Sequence, residues 1–152
     1  MSTSRAEFDG PRLVRGDELP ACEHLSRLCF GGLEVSPETE PPAAYIPPKR
    51  GGTYVMTHLG TPVSQISIFH QRIQLYDGQI RVGSIGGVCT HPDFRGQGLA
   101  GRLMEHCTRQ LAQEGARLML ISGERGLCTR LGNARSGRFM GFTIRPDQGQ
   151  AQ

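Results

Sequence analysis

Between Thr53 and Thr90 the side-chain pattern has a period of two. The runs "TYVMTHL", "PVSQISIFHQRIQLY" and "QIRVGSIGGVCT" are rich in Val, Ile and Tyr. Alternation of this kind puts successive side chains on opposite faces of a strand. Gly60-Thr61-Pro62 separates the first run from the second. Asp77-Gly78 separates the second from the third, and Asp-Gly suits a tight hairpin. Three consecutive strands joined by short turns form an antiparallel meander, and every other element has to pack around it.

The flanking segments change period. "PRLVRGDELPACEHLSRLCFGG" reads as a short strand and then a helix, with Asp17 as N-cap and Pro20 in the first turn. Cys22, Leu25, Leu28 and Cys29 share a helical face, and Gly31-Gly32 ends the helix. Residues 31–52 hold five prolines and read as a loop over one end of the core. A helix is expected from about Gly96 to Glu114, with Ala100, Leu103, Met104, Cys107 and Leu111 as its buried stripe and Gly115 as its stop. "RLMLIS" reads as a central strand buried on both faces. "RGLCTRLG" reads as a short helix, "GRFMGFTIRP" as a last strand and 147–152 as a frayed tail. The sum is a mixed α/β fold: a mostly antiparallel central sheet flanked by helices, with the 152 residues forming one domain.

Composition removes several classes of function. There is no Trp, only six Phe and three Tyr, and the net charge is +3 with the basic residues scattered. Base stacking has little to work with, so no nucleic-acid partner is expected. The five cysteines are odd in number and form no C-x-x-C. They are expected to be reduced and mostly buried in a cytoplasmic protein, with no metal site. No apolar run approaches the ~20 residues of a membrane span, and "MSTSRAEFDG" has no apolar signal core.

One stretch breaks its own helical pattern. "HPDFRGQGLAGRLMEHC" carries Gly96, Gly98 and Gly101 at a helix start, between Arg95 and Arg102. Glycine inside a helix costs about 1 kcal/mol relative to alanine. The cost is explained if the first, unpaired N–H groups of the helix cradle an anion such as a pyrophosphate, which bare glycines let close to the backbone. The glycines match G-x-G-x-x-G numerically, but no βαβ unit with a following acidic residue surrounds them, and no P-loop pattern is present.

"VCTHPDFRGQGLAGRLMEHC" resembles the acyl-CoA-binding motif of the GNAT superfamily of N-acyltransferases. Arg95, Gly98 and Ala100 meet its [R/Q]-x-x-G-x-[G/A] core, and Val88 and Pro92 meet the upstream Val-x-x-x-Pro. The element order is similar over nearly the whole chain. The resemblance implies a GNAT-like acyl-CoA N-acyltransferase fold with acetyl-CoA as cosubstrate. It implies that Val88, Cys89 and Thr90 bond the pantetheine arm, and that Arg95, Gly96, Gln97, Gly98, Leu99, Ala100 and Gly101 hold the pyrophosphate. Gly86-Gly87 would lie at a strand bulge, and the 31–52 loop would lie over the acceptor cleft.

The implied reaction is attack of a primary amine, on a small molecule or peptide, upon the thioester. An alkylamine of pKa about 10.4 is mostly protonated at neutral pH, so a base is useful. His70 and Glu124 are the nearest candidates by element position, since Val82 stands where some members carry a strand glutamate. Tyr45 and Tyr54 are alternatives. Members often carry a Tyr in L-Y-x-x-x-G-F as general acid; here "LCTRLGN" places Cys128 at that position and Asn133 at the Phe position. These departures leave a second reading open, an acyl-CoA-binding module with little turnover that acts as a regulatory or partner domain. A monomer or homodimer is expected.

Overall fold

The computed structural model describes residues 7–31, 51–121, 126–130 and 132–134. The expected 31–52 loop lies almost entirely outside them. Glu124, Tyr45, the expected last strand and the 147–152 tail lie wholly outside them.

The meander is present. β2 (Gly51–His58), β3 (Thr61–Leu75) and β4 (Gly78–Thr90) pair antiparallel, and β1 (Phe8–Leu13) adds antiparallel to the outer edge of β2. β5 (Leu118–Ile121) pairs parallel with β4, completing a sheet of order β1-β2-β3-β4-β5. The fold is thus mixed α/β with a mostly antiparallel sheet. The turns sit one or two residues earlier than the sequence suggests. Leu59 and Gly60, at φ 49° and 81°, make the first. Two left-handed residues match the twist of the flanking strands, so Thr61 and Pro62 are free to join β3. Tyr76 and Asp77 make the second, with Leu75 paired to Gly78.

α1 (Leu19–Phe30) and α2 (Leu99–Gln113) cover opposite faces of the sheet. Gln65 of β3 reaches Ser26 of α1, whereas the next residue, Ile66, joins Ile68, Ile85, Leu103, Met104, Cys107 and Leu111 in the core beneath α2. Asp17 does not cap α1: it lies in a 3₁₀ turn, Gly16–Glu18, and Glu18 precedes the helix. Glu18 is buried and accepts from the two terminal guanidinium nitrogens of Arg12, at 2.9 and 2.7 Å, which holds its carboxyl down at about 2. α1 buries Cys22 and Leu25, but Leu28 is exposed.

α2 begins at Leu99, three residues later than expected. Its buried stripe is Leu99, Leu103, Met104, Cys107 and Leu111; Leu99 takes the place expected for Ala100, which is half-buried. Gly115, at φ 83°, follows its end. β5 is not buried on both faces. Met119 and Ile121 pack on the core under α2, while Leu118 and Leu120 are exposed among the described residues.

Candidate active site

β4 carries a bulge. Gln65 pairs with Cys89 and Ser67 with Gly86, so Gly87 and Val88 together oppose the single residue Ile66. Gly87 takes φ 61°, a conformation that suits glycine, which explains the Gly86-Gly87 pair. Among the described residues the ladder between β4 and β5 covers Val82 to Ile85, short of the bulge. From Gly86 to Thr90, β4 is held by β3, and its last residues deliver the chain to the start of α2.

That delivery runs through an exposed loop. A 3₁₀ turn, Pro92–Phe94, follows His91, and Arg95, Gly96, Gln97 and Gly98 are all exposed before α2. Gly96 and Gly98 take φ 77° and 76°. They precede the helix, so their cost is not one of helix propensity: the chain needs two left-handed residues there, and glycine supplies them without strain. A Cβ at Gly96, Gly98 or Gly101 would meet nothing within 4 Å, so all three border open space. The first α2 bond runs from Arg102 N–H to Gly98 O at 3.0 Å, and no side chain among the described residues caps the helix start at Gly98. The N–H groups of Leu99, Ala100 and Gly101 therefore precede the helical ladder at the positive end of the helix dipole. Leu99 turns its side chain into the core and fixes the helix start.

The two arginines are placed differently. Arg95 Nε donates to Thr90 O at 3.2 Å, which anchors its guanidinium beside the loop. Arg102 NH2 donates to Gly10 O at 3.2 Å, directing that charge toward β1.

His70 lies at the other end of α2. It pairs with Gly83, four residues before the bulge, or about 13 Å along the strand. Its Nε2 is 2.6 Å from Glu114 Oε2, just past the α2 C-terminus. The pair lines a cleft of about 520 Å³ with Tyr54, Gln71, Arg81 and Gln110. Burial, then the neighbouring Cys107 and Glu114, raise the Tyr54 hydroxyl above its ordinary pKa. The structure thus brings Val88 to Gly101 together and leaves His70 apart from them. Cys128 lies half-buried in α3 (Gly126–Arg130), and its carbonyl accepts from the Asn133 backbone and, at 2.9 Å, from Asn133 Nδ2. Sequence reasoning missed Glu114 as the partner of His70, because 44 residues separate the two and no local pattern links them.

Residues 11–132 match the family model for the acetyltransferase (GNAT) domain. The chain belongs to the GNAT acetyltransferase family. Solved structures agree in fold across nearly the full length of both chains. An acetyltransferase from Trypanosoma brucei is 21% identical, with a TM-score of 0.69 over 91% of this chain and 99% of its own. An aminoglycoside N-acetyltransferase in complex with CoA is 15% identical, with a TM-score of 0.71 over 95% and 99%. A transcriptional regulator from Bacillus halodurans is also 15% identical, with a TM-score of 0.66 over 91% and 99%. At such identities the likeness is one of fold. A search of curated proteins finds none that matches this sequence. Among the described residues of this GNAT chain, no His, Cys, Asp or Glu cluster is arranged to hold a metal, and no helix is long and apolar enough to cross a membrane.

Proposed function

We propose that this GNAT chain is an N-acetyltransferase that moves the acetyl group of acetyl-CoA to a primary amine, on a small molecule or a peptide, in the cytoplasm. The observation that carries the reading is the open glycine loop before α2. Two left-handed glycines, three leading helical N–H groups and Arg95 surround empty space directly after a bulged strand. An anion with several oxygens, such as the CoA pyrophosphate, matches that donor set. Val88, Cys89 and Thr90 then lie along the pantetheine arm, and Gly96 to Gly101 around the phosphates. The neighbour named as bound to CoA supports the cofactor, and its name as an aminoglycoside acetyltransferase supports an amine acceptor.

The reaction needs an unprotonated amine, a stabilised tetrahedral oxyanion and a protonated leaving thiol. Backbone N–H groups at the bulge suit the oxyanion. A thiol of pKa about 8.5 leaves without much assistance, so Cys128 in place of a tyrosine slows the step rather than stopping it. His70, held by Glu114 and about 13 Å along the strand from the bulge, suits the entry of the amine better than direct proton abstraction. Glu124 remains the other candidate base.

A thiol-release assay with acetyl-CoA and a panel of primary amines tests the reading. Turnover on at least one amine, with CoA-SH released in equal amount, is the expected result. The second reading, a binding module with little turnover, draws on the distance of His70 from the bulge. Tight binding of acetyl-CoA with no turnover on any amine decides for it.

A further inference from the structure

Three of the five cysteines converge between α1 and β4. Cys22 and Cys89 are buried, whereas Cys29, in the last turn of α1, is half-exposed. Cys89 faces α1 near Cys29, since its strand partner Gln65 reaches Ser26, one turn before Cys29 in the helix. The Cys29 thiol donates to Thr90 O at 3.4 Å. The same Thr90 carbonyl accepts from Arg95 Nε at 3.2 Å. One carbonyl oxygen therefore stands between a solvent-reachable thiol and the cation of the glycine loop. The surroundings are polar: Gln65 Nε2 donates to Ser26 Oγ at 2.7 Å, while Gln65 Oε1 is buried with no hydrogen-bond partner among the described residues. Gln65 is itself the strand partner of Cys89.

We propose that Cys29 and Cys89 form an oxidisable dithiol, a modification site at which a peroxide makes a Cys29–Cys89 disulfide and loosens the adjoining glycine loop. Cys29 is the half-exposed member and meets the oxidant. Its thiolate attacks the peroxide, the O–O bond breaks, and the leaving oxygen departs as an alcohol (water, for hydrogen peroxide) with the proton the thiol gave up. Cys29 is then a sulfenic acid. The Cys89 sulfur attacks it, the S–O bond breaks, and water leaves with the Cys89 proton. Two thiols are oxidised and one peroxide is reduced. Burial pushes the Cys89 thiol up to about 12, so Cys29 and not Cys89 starts the reaction, and the nearness of Cys89 to Cys29 lets it resolve the sulfenic acid. Once oxidised, Cys29 has no S–H to give Thr90 O, and the end of α1 is tied to the strand that anchors Arg95. The effect on acetyl-CoA rests on the cofactor reading above; the disulfide itself does not.

The test treats the full chain with hydrogen peroxide, counts thiols after unfolding, maps linked peptides by mass spectrometry, and titrates acetyl-CoA before and after. The thiol count should fall by two, with a single Cys29–Cys89 peptide pair that dithiothreitol reverses. Acetyl-CoA affinity should fall about fivefold, the scale of one lost hydrogen bond. Cys29→Ser should lose no thiols to peroxide, while Cys22→Ser should still lose two. An unchanged count, a link through Cys22, or sulfinic acid on Cys29 without a link overturns the dithiol. A Cys29–Cys89 link with unaltered affinity overturns its coupling to the loop. Reduced protein that does not bind acetyl-CoA contradicts the cofactor reading, and the peptide map still decides the dithiol.

Discussion

The two ends of α2 use glycine in opposite ways. At the N-terminal end Gly96, Gly98 and Gly101 border open space, and the helical N–H groups lead into it. At the C-terminal end a Cβ on Gly83 of β4 would come within 2.6 Å of the Leu111 side chain, so that glycine exists to let the helix lie close on the sheet. There Glu114 takes His70, and the Glu114 carbonyl accepts from Arg81 at 3.1 Å. One end is open and donor-rich; at the other the helix is packed tightly on Gly83, and its polar groups pair beside the cleft. Changes at the open end should cost little stability and much cofactor binding, and changes at the packed contact should show the reverse.

Gly101→Glu breaks the comparison most severely if it is wrong. Gly101 is helical and its Cβ has room; a Cβ at Gly98 has room too, but a side chain there would strain a positive φ. If this end holds the phosphates, a carboxylate beside them should weaken acetyl-CoA binding roughly 1,000-fold, the scale of a like-charge contact of about 4 kcal/mol. Calorimetric titration beside an unchanged melting temperature checks it.

Acid stability comes next. Arg12 and the Arg15 N–H hold Glu18 down at about 2, below its ordinary range. A depressed carboxyl pKa stabilises the fold above about 4.5, and that contribution is lost as pH falls toward 2. Up to about 3 kcal/mol should disappear across that window. Glu18→Gln should be less stable at pH 7 yet flatter below 4.5 in a series of melting curves; an equally steep acid limb in that variant would place the titrating group elsewhere.

Gly83→Ala should cost about 1–3 kcal/mol, because the buried Leu111 and its helix must shift. Acetyl-CoA affinity should be unchanged, and a parallel loss of affinity would mean that the two ends are not independent. The smallest effect is expected from Glu114→Gln. Its pair with His70 is partly exposed and worth less than about 1 kcal/mol, so denaturant midpoints should barely move.

The meander, the helix stripes and the glycine loop were legible because each is written in local periodicity or in left-handed glycines. The parallel pairing of β5 was implicit in a helix returning to the sheet. Three features were hidden by distance along the chain or by turn geometry. Leu59 and Tyr76 adopt positive φ without being glycine, so the turns fell earlier than Gly60 and Asp77 suggest. Asp17 looked like a cap, yet the buried Arg12–Glu18 pair placed the helix start beyond it. Leu99 replaced Ala100 in the stripe because the helix begins after the loop glycines. In the candidate site, Val88 to Gly101 is a contiguous stretch, so the sequence alone could propose it as one. The pairing of His70 with Glu114, and the meeting of Cys29, Thr90 and Arg95, depend on elements far apart in sequence.

The most direct test compares acetyl-CoA with S-acetylpantetheine, which carries the same thioester and arm but no pyrophosphate. Both ligands are titrated into the native chain and into Gly101→Glu. If the open end of α2 holds the pyrophosphate, the native chain binds acetyl-CoA far more tightly than S-acetylpantetheine, and Gly101→Glu erases most of that difference. Equal affinities for the two ligands in the native chain, or a difference that survives in Gly101→Glu, would contradict the assignment.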